Sequence, residues 1–303
     1  MANDLKKHIK SLLDDQKPLA PMMTGLKERT ETNGIQIKAL IFDIYGTLLV
    51  SSSGDIDESS FNALNLQKAL IDANYIIHDD TPEGAFNFMI EDFRYTILEH
   101  HKRAKEDAIP HPEINIREVW SEVLERARKK YWITSGKESS LEKFIITFEV
   151  LSNNVFPMPG MEEIIRHCQE QGIPLGIVSN AQFYTPLIMN YYLHNEKLEE
   201  TVPPFDPDLT VFSYQYNKSK PDDYLFRKII PVLREKYRIE PAEAVFVGND
   251  MLKDIYTANS AGFKTALFAG DKRSLKMRED SVNNLHPDFV LTDLQQIKKL
   301  IIK

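Results

Sequence analysis

The chain has one cysteine, Cys168, among 303 residues, which excludes an internal disulfide framework. Its setting, EEIIRHCQEQG, reads as one position of an amphipathic helix, so a packed helix thiol is expected rather than a reactive one. No stretch reaches the ~18 consecutive apolar residues of a membrane span, and MANDLKKHIK leads into no apolar signal region. No membrane association is therefore expected, and the cytoplasm is the default location. Positive charge is also scarce: 37 Lys and Arg against 45 Asp and Glu leave a formal charge of -8. There is no basic surface on which nucleic acid or anionic lipid would collect.

What is present matches an ordinary globular protein: 42% hydrophobic and 27% charged residues, with only 12 Gly and 16 Pro. At this length a core plus a smaller inserted domain is the natural division. No internal repeat or low-complexity tract is visible.

Leu5, Ile9, Leu12 and Leu13 fall at helical spacing, which predicts a short amphipathic helix ending near Lys17, before Pro18 and Pro21. Residues 1–35 read as an N-terminal helical extension. The run IKALIFDIYGTLLV then gives the first strong strand, bounded by a turn signal at Gly46. From residue 51 to 155 only long helical periodicities follow: SSFNALNLQKALIDANY, AFNFMIEDFRYTILEHHKRAKE, INIREVWSEVLERARKKYW and SLEKFIITFEVL. After the helix in PMPGMEEIIRHCQEQG, strands and helices alternate: IPLGIVSN, LTVFSY, a helix from Pro221 to Tyr237, AEAVFVGND, a helix to Ala261, TALFAG, DFVLTDL and a last helix QQIKKLIIK. This is the pattern of a doubly wound, mostly parallel α/β sheet formed by 36–50 and 156–303, interrupted by an all-helical insertion at 51–155.

In such a sheet, ligands bind at the carboxyl ends of the strands, where the strand order reverses. The first strand ends in Asp43, Tyr45, Gly46 and Thr47, the second in Ser179 and Asn180, and a later one in Gly248, Asn249, Asp250 and then Asp254; Lys220 precedes a helix beginning at Pro221. Singly, each has an ordinary reading, such as a turn former, a helix cap or a solvated lysine. Together they form a coherent set for nucleophilic attack on a small anionic substrate.

Through FDIYGTL at 42–48, VSNA at 178–181, KP at 220–221 and VGNDMLKD at 247–254, the chain resembles the haloacid dehalogenase-like hydrolase superfamily. The resemblance covers roughly residues 37 to 292. It implies a Rossmann-like core, a helical cap inserted after the first motif, and an active site between them. It also implies Asp43 as nucleophile, Thr47, Ser179 and Asn180 as ligands of the substrate anion, and Lys220 as the group that neutralises it. Mg²⁺ is the implied cofactor, held by Asp43, the backbone carbonyl of Tyr45, Asp250 and Asp254. The chemistry suits these roles, since Mg²⁺ prefers carboxylate oxygens and a lysine is a suitable point charge for phosphate. Helix starts beyond Thr47 and Asn180 are expected to add backbone N–H groups for an anion.

The pattern is broken at four places. Phosphatases of the superfamily carry an acid two residues after the nucleophile, where this chain has Tyr45. A phenol with pKa about 10 is a poor proton donor at neutral pH, and a positioned acid is worth roughly 10²- to 10⁴-fold in rate. An aromatic there resembles the haloacid dehalogenases, whose aspartate attacks carbon without a metal. Those enzymes, however, use an early cap arginine and a tyrosine six residues after the lysine. Here residues 51–93 hold no arginine, the first being Arg94, and Phe226 stands where the tyrosine would be. Asn249 occupies the place after the glycine where an acid often stands, which leaves Asp250 as the preferred metal ligand.

Elsewhere, His100 and His101 read as a solvated pair, His111 as a loop residue, and Trp120 and Trp132 as insertion core. Three functions follow from the sequence: a Mg²⁺-dependent hydrolase of small phosphate esters working through an aspartyl-phosphate on Asp43, a metal-independent dehalogenase-type hydrolase, and a regulatory protein that keeps the fold with little turnover.

Overall fold

The computed structural model describes residues 2–32, 34–53, 61–282 and 285–301. The expected helix residues Ser59, Ser60, Ile302 and Lys303 and the extension residues Met1 and Asn33 lie outside that set, as does part of the boundary between strand and insertion at 54–60. The strands are β1 (Ala39–Phe42), β2 (Leu49–Ser51), β3 (Tyr75–Ile77), β4 (Ile133–Ser135), β5 (Val155–Pro157), β6 (Leu175–Ser179), β7 (Thr210–Phe212), β8 (Ala244–Gly248), β9 (Lys264–Phe268) and β10 (Phe289–Leu291). The helices are α1 (Ala2–Asp14), α2 (Ala63–Asp72), α3 (Ala85–Glu106), α4 (Ile116–Lys129), α5 (Leu141–Ser152), α6 (Met161–Glu170), α7 (Thr185–Tyr192), α8 (Tyr224–Lys236) and α9 (Thr257–Ser260).

Six strands form one sheet in the order β10-β9-β8-β1-β6-β7, and every pairing in it is parallel. The chain winds outward from β1 in both directions, so β1 lies at the point of reversal, with β6 on one side and β8 on the other. Every residue of β1, ALIF, is buried, as is every residue of β6 and β8. That double-sided burial is why these strands read as continuous apolar runs rather than as alternation. Leu225, Phe226, Ile229 and Leu233 of α8 pack against Ile41, Val178 and Phe246 on one face. Helices cover both sides of the sheet.

The apolar run at 37–50 is interrupted where the turn signal at Gly46 was read. A turn follows Asp43, with Gly46 at φ +82°, and β2 then pairs antiparallel with β5. Thr47 therefore leads into a strand and not into a helix start, which corrects that expectation. Helix α7 lies beyond Asn180, where a helix start was expected, although TPLIMNYY is too short and too largely apolar for a 3.6-residue stripe to mark its extent.

Two compact units are distinguished, one of residues Met1–Lys17 and Asp57–Asn154, the other of Pro18–Ile56 and Val155–Lys303. The first 35 residues are thus divided. In the first unit, α1 packs on α5, with Ile9, Leu12 and Leu13 buried and His8 Nε2 2.6 Å from Thr147 Oγ1. In the second, Arg29 exchanges two backbone hydrogen bonds with Val290, at 2.8 and 2.9 Å, along the edge strand β10.

The first unit is not all-helical as expected. β3 and β4 form an antiparallel pair inside it. Each is entered from a helix through one left-handed residue, Asn74 at φ +62° and Tyr131 at φ +56°. Three-residue strands leave no alternation to read. Its core is aromatic, as expected of Trp120: that ring stacks on Phe93 at 4.2 Å and meets Phe144 and Phe148 edge-on at 4.9 and 5.1 Å. His100 is paired with Glu122 at 2.9 Å. Among the described residues no helix is long and apolar enough to cross a membrane.

Candidate active site

Register brings the site together. Phe42 is level with Ile177 of β6 and Val247 of β8, so the next residue, Asp43, sits at the carboxyl end of the sheet beside Val178 and Gly248. Its backbone N–H donates to Val247 O at 2.9 Å, which continues the ladder one residue beyond the strand.

Lys220 is the centre of the arrangement. It is 3% exposed, and its ammonium donates to Asp43 Oδ1 at 2.9 Å, Asp254 Oδ1 at 2.6 Å and the Val178 carbonyl at 3.0 Å. Three partners match the three N–H bonds of the ammonium. Burial opposes the Lys220 charge, but the Asp254 and Asp43 carboxylates outweigh it and hold the pKa above its ordinary value. Asn180 fixes the Lys220 backbone from both sides: its Oδ1 accepts from Lys220 N at 2.8 Å, and its Nδ2 donates to Lys220 O at 3.1 Å.

Of Asp43, Asp250 and Asp254, the last is the deepest, at 2% exposed. Its Oδ2 accepts the backbone N–H groups of Asn249 and Asp250 at 3.0 and 2.9 Å, while Oδ1 faces Lys220. Burial pushes its carboxyl up to about 6; Lys220 works against that rise, and Asp43 and Asp250 add to it. The π-helical turn Met251–Tyr256 folds Asp254 back beneath Gly248. Such turns, with one residue more than an α-helical turn, recur at functional sites.

Asp250 caps that turn, accepting from Leu252 N at 2.8 Å and Lys253 N at 3.0 Å on Oδ1. Its Oδ2 takes Arg278 Nη2 at 2.8 Å and Nε at 3.1 Å. Thr47 is fully buried and its hydroxyl donates to Asn249 Oδ1 at 3.3 Å. The Tyr45 phenol is 2.9 Å from Thr185 Oγ1, at the start of α7. Ser179 Oγ, by contrast, is buried with no hydrogen-bond partner. A buried hydroxyl at a strand end with no internal partner keeps its hydrogen-bonding capacity uncommitted.

Asp43 and Asp254 are therefore gathered around the Lys220 ammonium, which also meets the carbonyl of Val178, the residue before Ser179. Asn180 and Thr47, expected to meet the substrate anion, have their side chains engaged within the protein. Phe226 lies in the core against Phe246 and Phe263, at 4.8 and 5.5 Å. Arg278 and Thr185 had no signal in the sequence, since they lie outside the four motifs and reach the site only through tertiary pairing.

The expected Mg²⁺ set does not fit these residues. Mg²⁺ demands near-octahedral oxygen ligands. Both oxygens of Asp254 and both of Asp250 already accept hydrogen bonds from the protein. Among the described residues, Asp43 Oδ2 is the one oxygen of these three acids left without a donor. Among the described residues, no group of three or more His, Cys, Asp or Glu side chains is placed to hold a metal ion.

Comparison with known proteins agrees with this architecture. The chain is 32% identical over 117 residues to the ribulose-1,5-bisphosphate 5-phosphatase of Halopiger xanaduensis, a match spanning 39% of this chain and 44% of the relative. It is similar in fold to a 2-haloacid dehalogenase from Pseudomonas syringae pv. Tomato, with 18% identity, a TM-score of 0.53, and coverage of 88% of this chain and 98% of that one. A putative hydrolase of Bacillus subtilis bound to magnesium, 18% identical with a TM-score of 0.48, covers 88% of this chain and 99% of its own. The model of the haloacid dehalogenase-like hydrolases matches residues 37–262, and the chain belongs to that family.

Proposed function

We propose that this protein hydrolyses a small phosphate monoester through a covalent intermediate on Asp43. The observation that carries the reading is the Lys220 ammonium. It locks one oxygen of the Asp43 carboxylate at 2.9 Å and leaves the other without a donor, at the carboxyl end of the sheet. A carboxylate held by one oxygen presents the other as a nucleophile in fixed orientation. The Asp43 oxygen attacks phosphorus, and the bond to the ester oxygen breaks with its electron pair leaving on that oxygen, which takes a proton from water. Water then attacks the acyl phosphate, which releases inorganic phosphate and restores the carboxylate. The unpartnered Ser179 hydroxyl supports a role as donor to a phosphoryl oxygen, and Lys220 supplies positive charge without giving up a proton. The likeness to a sugar-bisphosphate phosphatase supports a phosphorylated substrate.

A second reading, attack of Asp43 on carbon with loss of halide, is favoured by two observations. The phenol at position 45 is engaged with Thr185, and the Asp250 carboxylate is held by a guanidinium. Both readings use the same nucleophile.

The test is cleavage of a panel of phosphate monoesters, led by an activated aryl phosphate, with and without Mg²⁺, by wild type and Asp43→Asn. Phosphate release that Asp43→Asn abolishes supports the first reading. Absence of phosphate release together with halide release from 2-haloacids transfers the reaction to carbon. Turnover of either kind that survives Asp43→Asn removes Asp43 from the mechanism.

A further inference from the structure

The acids expected to bind a divalent cation face two protein cations instead. We infer that the Arg278 guanidinium takes the place of a metal ion at Asp250, so that this carboxylate is charge-compensated from within the chain and the site has no resident divalent cation.

A carboxylate offers about four acceptor positions. At Asp250 they are filled by four donors: the backbone N–H groups of Leu252 and Lys253, and Nε and Nη2 of Arg278. The Asp250 side chain is 8% exposed, so a cation entering there would have to displace the guanidinium. Guanidinium and carboxylate meet as a planar fork on a planar acceptor, a more directional contact than a lysine would make.

Arg278 reaches Asp250 by a built route. Its segment is zipped alongside the strand end by Met251 N–H to Lys276 O at 2.9 Å and Lys276 N–H to Asn249 O at 3.0 Å. Asn249 Nδ2 adds a third bond, to Ser274 O at 2.5 Å. The backbone turns at Arg278 itself, which is left-handed at φ +52° and accepts from Ser281 N at 2.8 Å. The side chain is thus delivered by a pairing anchored on the residues that flank Asp250 and by a turn that follows it.

Charge counting leads to the same result. Asp43, Asp250 and Asp254 bring three negative charges to one end of the sheet, and Lys220 and Arg278 return two positive ones. A buried carboxylate without a partner is strongly disfavoured. Arg278 thereby matches the charge of Asp250, and Lys220 is shared between Asp254 at 2.6 Å and Asp43 at 2.9 Å.

The inference concerns the charge at Asp250 and holds whichever substrate the site takes. It is tested without substrate, by Mn²⁺ electron paramagnetic resonance on the full chain. Wild type mixed with equimolar Mn²⁺ should leave the signal of the free ion undiminished. Arg278→Ala should bind Mn²⁺ at least about tenfold more tightly than wild type, and Arg278→Ala with Asp250→Asn should lose the gain. Circular dichroism of each variant shows whether it is folded, and the wild-type arm decides by itself if Arg278→Ala is not. Stoichiometric Mn²⁺ binding by wild type overturns the inference, as does a folded Arg278→Ala that binds no better. A wild type that leaves Mn²⁺ free yet cleaves no phosphoester would leave this inference standing and remove the phosphatase reading.

Discussion

A Cβ added at Gly248 would lie 2.5 Å from the Asp254 carboxyl carbon. That distance is below any van der Waals contact, so the last residue of β8 has no side chain because Asp254 is folded against it. Gly248→Ala should push Asp254 away from Lys220 and from the two backbone N–H groups it caps. Overpacking of this kind typically destabilises by about 1–3 kcal/mol. Thermal denaturation and turnover of Gly248→Ala should fall together. Full activity with a lowered melting temperature would show that the Asp254 position does not govern the nucleophile.

Lys220 separates two buried carboxylates. Lys220→Met removes the cation from both, and breaking a buried pair on one side typically destabilises by about 3–5 kcal/mol. Adding Asp254→Asn to Lys220→Met removes one of the stranded charges and should recover part of that loss in a urea denaturation series. Strictly additive losses would show that the two side chains do not interact.

Position 45 sets the leaving-group requirement in the phosphatase reading. Tyr45→Asp should accelerate cleavage of an unactivated alkyl phosphate by roughly 10²-fold or more, and that of an activated aryl phosphate much less, because only the former needs a proton on its leaving oxygen. The quantity to measure is the ratio of kcat/KM for the two esters. An unchanged ratio would place residue 45 away from the leaving group.

These residues were unequally legible in the sequence. Asp43, Ser179, Lys220 and Asp254 could be read because each sits at the end of an apolar run or the start of a helix, where a parallel sheet presents its ligand-binding edge. Arg278 could not, because it is brought in by pairing with a segment about 28 positions earlier, and SLKMRED carries no pattern of its own. The internal engagement of Asn180 and Asp250 was hidden for a related reason. Sequence shows that a polar side chain stands at a strand end, but not whether a neighbouring backbone N–H or guanidinium has already taken its oxygens. The β3–β4 pair escaped because three residues are too few to show a period.

Helix α1 belongs to the first unit and is docked there through Ile9, at 1% exposed, and Leu13, at 2%. Deleting residues 2–14 should therefore uncover the apolar face of α5 and lower the melting temperature. Ile9→Ala alone should destabilise by about 2–5 kcal/mol, as for other large-to-small changes in a packed core. An unaltered denaturation curve for Ile9→Ala would mean that α1 is not docked in solution.

Cys168 gives a prediction whose sign depends on pH. Burial pushes its thiol from 9.0 up to about 12, with Lys298 pulling weakly the other way. Between those values the unfolded chain has lost the thiol proton while the folded chain retains it, so the folded state binds more protons. Stability from this group is fully present below pH 9.0 and declines as pH rises toward about 12. Other groups titrate in the same range, so the informative comparison is with Cys168→Ala. Measured by urea denaturation at matched pH, the stability difference between wild type and Cys168→Ala should be constant up to about pH 9 and then shift against wild type. Native protein should also resist alkylation by iodoacetamide at pH 8 until denaturant is added, because the thiolate is the reacting form. Rapid labelling of the folded chain at that pH would show that the thiol is neither buried nor suppressed.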